Sequence, residues 1–182
     1  LSLITLKKAL SDLFEVADTN FGGLGSAPKF PPHSTFPFLY RLLDYGETHP
    51  DIQALLTDFN TTAPNTNALD RFCLQTLTSM RLEGIYDHVG GGFHRYATDD
   101  IWRLPHFEKM LYDNALMLAY YADAYARYKD PLYRKTLTEI ITFCRTILGD
   151  DSGGFYSGID ADSEGEEGKY YTWTSDKLQK RL

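Results

Sequence analysis

The feature that most restricts how this chain folds is a recurrence. Three times a helical pattern ends, two adjacent glycines follow with an aliphatic or aromatic residue behind them, extended polar chain comes next, and a helical pattern resumes. This happens at Gly22-Gly23-Leu24, Gly91-Gly92-Phe93 and Gly153-Gly154-Phe155, at intervals of 69 and 62 residues. Punctuation repeated at nearly constant spacing marks a repeat architecture, in which each unit buries its apolar face only against its neighbours. Here the unit is a helical hairpin whose connecting loop is long and rich in ionisable side chains. With odd helices outside and even helices inside, the three loops emerge at one end of the stack, at the N-termini of the inner helices.

The helices are read from apolar spacing. Leu3, Leu6, Leu10, Leu13, Phe14 and Ala17 share one helix face, with Ser2 as N-cap. A second helix is expected over 34–45, stopped by Gly46, a short one within 50–59, a turn-rich segment over 60–67, and a third full helix over 67–82. Pro105 stands where a first helical residue tolerates proline. The pattern from 105 to 128 is apolar on nearly every side, through Phe107, Met110, Leu111, Met117, Leu118 and Tyr121, which reads as an interior helix. Asp130 and Pro131 open an outer helix to 148, two alternating runs within 155–173 are expected to pair as one short β-hairpin, and another helix begins near Ser175. The fold class is all-α.

At 182 residues with 43% hydrophobic side chains, the chain fits one domain with a real core and is not disordered. Cys73 and Cys144 both fall in apolar helical stripes, so they are expected as reduced core residues. The net charge of −7 argues against a nucleic-acid partner, which needs a basic face. Five of the acids lie between Asp160 and Glu167, so the acidity marks one loop. No run approaches the roughly 18 apolar residues of a membrane span, and the first 18 residues show no signal-peptide pattern. A cytoplasmic setting without membrane partners is the expectation.

At "GGLGSAPKFP", "IYDHVGGGFHRYATDDIWRLPHFEKMLYDNA" and "GGFYSGIDADSEGEEGKYYTWT" the sequence resembles the helical part of the spermatogenesis-associated protein 20 family, whose members carry a thioredoxin-like domain ahead of an α/α toroid. The resemblance covers nearly all of the chain. It implies a partial α/α toroid of about three of six hairpins, similar to six-hairpin glycosidases and N-acylglucosamine 2-epimerases. It further implies a small sugar-like substrate and, as partner, the thioredoxin-like domain of a longer parent chain. That domain is absent from these residues, so they are expected to be a fragment and to carry no redox chemistry.

The stretch from Ile85 to Asp113 concentrates the candidate chemistry. Epimerisation beside a carbonyl needs a base on one face of the carbon and an acid on the other, and histidine suits both tasks. As second residue of an inner helix, His106 would be kept neutral by the helix dipole; His94 is the companion candidate, and His88 lies on the same loop. The plain alternative is that these rings fix loop conformation. A glycosidase would instead need two carboxylates, for which Asp87, Glu108, Asp160 and Asp162 are available, Glu108 having an ordinary reason to sit in a first helical turn. Arg95 and Arg103 are candidates to clamp an anionic group, and Tyr86, Tyr96 and Trp102 to stack on a sugar ring, although aromatics in such folds usually pack. Lys29 and Phe30, in extended chain beside prolines, are candidate substrate contacts at the mouth, against the plainer reading of Lys29 as a solvated lysine. No cofactor or metal is expected. Asp160, Asp162, Glu164 and Gly165 imitate the start of an EF-hand loop, but position 12 is Tyr171, and the histidines lack zinc spacing. Two readings remain, an acid/base enzyme domain on sugar-like metabolites and a non-catalytic α/α scaffold. Convergence or scatter of His94, His106, Glu108 and Asp160 decides between them.

Overall fold

The computed structural model of the chain describes residues 2–58 and 67–181. Helices α1 (Leu3–Glu15), α2 (Thr35–Gly46), α3 (Pro50–Asp58) and α4 (Ala68–Leu82) precede the second glycine loop. Helices α5 (Leu111–Tyr128) and α6 (Pro131–Phe143) follow it, α6 running into a π-helical turn at Cys144–Leu148, and α7 (Ser175–Gln179) follows the third loop. The expected caps are in place: Ser2, Asn67 and Asp130 each accept a backbone N–H from the first turn of their helix, and Pro131 occupies the position where its missing N–H costs nothing. Most of the segment expected as turn-rich lies outside the described residues. Leu39 and Leu43 of α2, Phe72, Leu77 and Met80 of α4, Met117 and Tyr121 of α5, and Tyr133 and Ile140 of α6 form one continuous core. Cys73 is buried, Cys144 is half-buried, and both are free thiols.

Two expectations are corrected. The helix read from Pro105 starts at Leu111, because Pro105–His106 (β2) pairs antiparallel with Tyr96–Ala97 (β1), and Lys109–Met110 (β3) pairs with Gly158–Ile159 (β4). Those cross-loop hydrogen bonds take the backbone that the apolar pattern assigns to a first helical turn. Asp162–Ser163 (β5) and Glu166–Glu167 (β6) make the expected hairpin, so there are three two-residue ladders among the described residues, where one was expected. Helix α5 is also not buried all round: Tyr112, Ala115, Leu116, Ala119 and Ala122 are exposed, while Met117, Tyr120, Tyr121 and Ala124 face the core.

The repeat is visible in atomic detail. Each loop opens on an aspartate whose backbone N–H donates to the carbonyl of the second glycine, Asp18 to Gly23, Asp87 to Gly92 and Asp150 to Gly154, at 3.0, 3.0 and 2.9 Å. The Oδ1 of each aspartate accepts backbone N–H groups of its own turn, from Asn20 and Phe21, from Val89 and Gly90, and from Ser152. The Oδ2 of Asp18 then takes Lys29 Nζ at 2.5 Å, and that of Asp87 takes Lys109 Nζ at 2.7 Å. Both lysines are buried and reach a second, carbonyl acceptor, Asp100 for Lys29 and Gly91 for Lys109. Each lysine stands in the strand that pairs with the following loop, Lys29 opposite Ala97 and Lys109 opposite Ile159. The lock therefore closes a turn and sets the register between successive hairpins. Gly23 and Gly92 occupy equivalent places, with φ of +79° and +80° and no space for a Cβ, which would fall 2.5 Å from the Trp102 ring and 2.6 Å from the Phe143 ring.

Burial alone would raise the Asp18 and Asp87 carboxyls, but hydrogen bonds from the paired lysine and the turn N–H groups outweigh it and hold both below the ordinary value. Their contribution is thus complete above pH ~4 and is lost as pH falls through the depressed native pKa values. Removing one partner of such a buried pair costs about 3–5 kcal/mol. Lys29→Met is expected to lower stability by that order in urea titration at pH 7, and adding Asp18→Asn to restore part of it. A loss under about 1 kcal/mol would show that the pair does not hold the loop.

Candidate functional site

The locks place residues from all three loops side by side. From the first loop, Phe30, half exposed at 50%, stacks on Tyr96 with centroids 4.6 Å apart; Tyr96 in turn stacks on His106 at 4.9 Å, nearly parallel. From the third loop, Glu167 reaches His106 Nδ1 at 2.7 Å. On the other ring edge, His106 Nε2 lies 3.8 Å from Glu108 Oε2, which Arg95 holds at 2.9 Å while its Nε donates to the Tyr112 hydroxyl. Strands β1 and β2 put Tyr96 directly opposite His106, which is why the two rings stack. Glu167 accepts from Nδ1–H, and Nε2 is the ring nitrogen on the side of Glu108. His106 and Glu108 thus sit in a strand connection, and the helix-dipole reason for either does not apply.

A second grouping lies between loops two and three. A cleft of about 270 Å³ is lined by Asp87, Lys109, Asp160, Asp162 and Tyr171 among others. His94 does not join His106. It is buried, its Nδ1–H donates to the Phe107 carbonyl at 3.0 Å, and its ring meets Phe107 and Tyr171 edge to face. Burial, helped by the nearby Lys109 charge, pushes its imidazolium down to about 4, so the ring is neutral and fixes the connection that carries Phe107.

Other candidates are placed elsewhere. Lys29 is fully buried in its lock and does not point into the mouth, and Trp102 is fully buried, with Nε1–H donating to the Phe21 carbonyl and Lys29 Nζ over its ring. Tyr86 is buried under the Arg81 guanidinium and donates to Glu139, while His88 lies against Arg81 and the Glu83 carbonyl. Arg103 pairs with Glu83. Lys29, Trp102 and Tyr86 are buried in these contacts, whereas His88 and Arg103 make theirs at the exposed surface.

Sequence reading missed Lys109, Glu167, Tyr112 and the pair His33–Asp113, joined at 2.8 Å between the start of α2 and the first turn of α5, each with one buried polar atom lacking a partner. Lys109 had a signal, a lysine closing the loop as Lys29 does. A further groove, of about 970 Å³, is lined by Tyr40, Arg41, Asp44, Asp123 and Arg127 and holds none of the residues selected from sequence. It lies along the later turns of α2 and α5, away from the loops. No group of three metal-ligating side chains occurs among the described residues. No helix there is long and apolar enough to cross a membrane.

No protein-family profile matches the chain. Over 181 residues, 96% of its length, it is 39% identical to human spermatogenesis-associated protein 20 and 37% identical to the rat protein; over 176 residues it is 33% identical to an uncharacterised protein of Caenorhabditis elegans. The chain spans about a fifth of the length of these relatives, 21% of the human protein. It is thus homologous to one segment of the spermatogenesis-associated protein 20 proteins. Among solved structures it is similar to cellobiose 2-epimerase from Bacillus thermoamylovorans, with a TM-score of 0.59, 11% identity and coverage of 92% of this chain and 44% of that one. It is equally similar to a sugar epimerase from a ruminal bacterium, with a TM-score of 0.59, 10% identity, and 90% and 44% coverage. The fold is therefore a partial α/α toroid of the sugar-epimerase kind.

The neutral His94 has a measurable signature. Between pH 6.5 and about 4 the unfolded chain binds a proton that the native ring refuses, so stability falls as pH drops through that window, by on the order of 3 kcal/mol for an isolated group. Imidazole NMR is expected to show His94 uncharged at pH 5, and urea titrations at pH 7 and pH 5 a slope that His94→Gln removes. A His94 midpoint near 6.5 would contradict this placement.

Proposed function

We propose that the chain contributes a sugar-directed acid/base site centred on His106, in a carbohydrate-active protein of the epimerase type. The observation that carries this reading is the junction of three loops, in which Phe30, Tyr96 and His106 form one stack and Glu167 orients the imidazole. An exposed aromatic face next to charged hydrogen-bonding groups suits a saccharide, whose C–H face packs on rings while its hydroxyls bond to carboxylate and guanidinium. In this arrangement Glu167 plays the part of a carboxylate behind a catalytic histidine, fixing tautomer and orientation. Nε2 is the base that removes a proton from the carbon beside a sugar carbonyl, and the resulting enediolate takes a proton back on its other face from water. Arg95 and Glu108 bind hydroxyl groups or polarise the carbonyl, and Phe30 supplies the platform. His94 stays in the framework and Asp160 lines the other cleft, so of the four deciding residues only His106 and Glu108 come together. The epimerase-like fold supports the substrate class.

The test is solvent exchange. Cellobiose, glucose and mannose incubated with the protein in D2O are expected to take up deuterium at C2, read by NMR. His106→Ala is expected to slow this by about 10²–10⁴-fold with little change in melting temperature. Phe30→Ala is expected to raise KM roughly 3- to 10-fold, the loss of one aromatic contact. Absence of both sugar binding and exchange would favour the non-catalytic α/α scaffold, whose partner would be a thioredoxin-like domain of a longer chain or another protein.

A further inference from the structure

The lock occurs twice, and its second copy stands beside a cleft. At the first lock, Lys29 Nζ faces the Trp102 ring at 5.1 Å, and at both locks an aromatic ring crowds the second glycine, Trp102 over Gly23 and Phe143 over Gly92. At the second lock, Lys109 Nζ faces Tyr171 at 5.1 Å and Phe143 at 4.9 Å, yet a cleft of about 270 Å³ remains beside the pair. The ion pair has the same form in both copies, so the cleft is judged by its own lining.

The lining of that cleft has two parts. Phe143, Ile147, Ile159 and Ala161 make apolar walls, with Tyr171 closing one side. The charged lining consists of Asp87, Lys109, Asp160 and Asp162. Asp87 and Lys109 neutralise each other at 2.7 Å, which leaves Asp160 and Asp162, both exposed. The nearby Lys169 is occupied by Glu164 and Glu166 at 3.0 and 3.2 Å and does not line the cleft. An apolar slot with two carboxylates at its rim repels anions and offers a neutral sugar little inside its walls. It suits a cation whose charge stays at the rim while its stem leaves water.

We propose that this cleft binds a small primary ammonium on an apolar or aromatic stem, with the stem against Phe143, Ile159 and Tyr171 and the charge at Asp160 and Asp162. The volume falls just below the range of about 300–1,000 Å³ typical of drug-sized ligands, so the ligand is of the order of ten non-hydrogen atoms. This site is separate from the His106 stack and stands whether or not the sugar reading holds.

The experiment uses three probes of one shape, phenethylammonium, 2-phenylethanol and 3-phenylpropionate, titrated into the protein and followed by amide chemical shifts. Saturable shifts at Ile159, Ala161 and Tyr171 are expected with phenethylammonium, weakening as salt rises, and the alcohol and the acid are expected to bind at least tenfold more weakly. The double variant Asp160→Asn/Asp162→Asn keeps the Asp160 Oδ1 that accepts the Asp162 N–H and is expected to weaken the ammonium at least tenfold with the melting temperature unchanged. The proposal is overturned if the alcohol binds as well as the ammonium, if the double variant binds it unchanged, or if 10 mM phenethylammonium moves none of these amides.

Discussion

Everything at the loop end of this molecule depends on one interaction, the aspartate and lysine that close each of the first two glycine loops. A loop with adjacent glycines loses more conformational freedom on folding than ordinary chain, and something must fix it in one shape. The aspartate does so with both oxygens, one bound to the N–H groups of its own turn and the other to a buried ammonium. A buried ion pair is weak as a net source of stability because desolvation offsets its Coulomb energy. Its value here is specificity. Lys29 and Lys109 each sit in the strand that pairs with the next loop, so one contact sets both the turn and the neighbour's register.

The candidate site follows from that register. If Lys109 were shifted by one position along Gly158–Ile159, the strand's side chains would change faces, and the connection carrying His106 would move relative to the third loop. The meeting of Phe30, Tyr96, His106 and Glu167 is therefore a product of backbone pairing between loops far apart in sequence. None of these four side chains contributes to the shared core. What they gain from the locks is position, and position is what acid/base chemistry needs, since a base must lie within hydrogen-bond reach of the proton it takes.

Much of the framework was legible in the sequence, and the reason is local. Ser2, Asn67 and the Asp130-Pro131 pair mark helix starts through contacts within one turn, and the apolar spacing of α4 and α6 reports a core face directly, whereas on α1 only Leu10 of the stripe is buried. The reading failed between Pro105 and Met110, where an apolar helical pattern with an N-terminal proline is overridden by pairing with residues up to 50 positions away. No local pattern contains that information. Side-chain placement was legible only in part. His106, Glu108, Arg95, Tyr96 and Phe30 do come together, whereas Lys29 and Trp102, which look solvent-facing or ligand-ready on paper, cover each other in the interior.

The repeat itself separates the two kinds of loop residue. A residue type found at the same place in successive copies serves what the copies share, and the shared property is the fold: Asp18, Asp87 and Asp150 each close a turn, and Lys29 and Lys109 each seat a strand. A residue found in one copy is free of that duty, but singularity alone is not enough, because Trp102 and His94 are also unique and both are buried in packing contacts. Singular and accessible together is the more demanding criterion. His106, Arg95, Glu167, Asp160 and Asp162 meet it, whereas Asp87, a catalytic candidate by its chemistry, has in Asp18 a counterpart that makes the same lock. The loops thus carry two layers of chemistry, a buried one that repeats and holds them, and an exposed one that does not repeat and is linked by contacts of its own, His106 with Glu167 and Arg95 with Glu108.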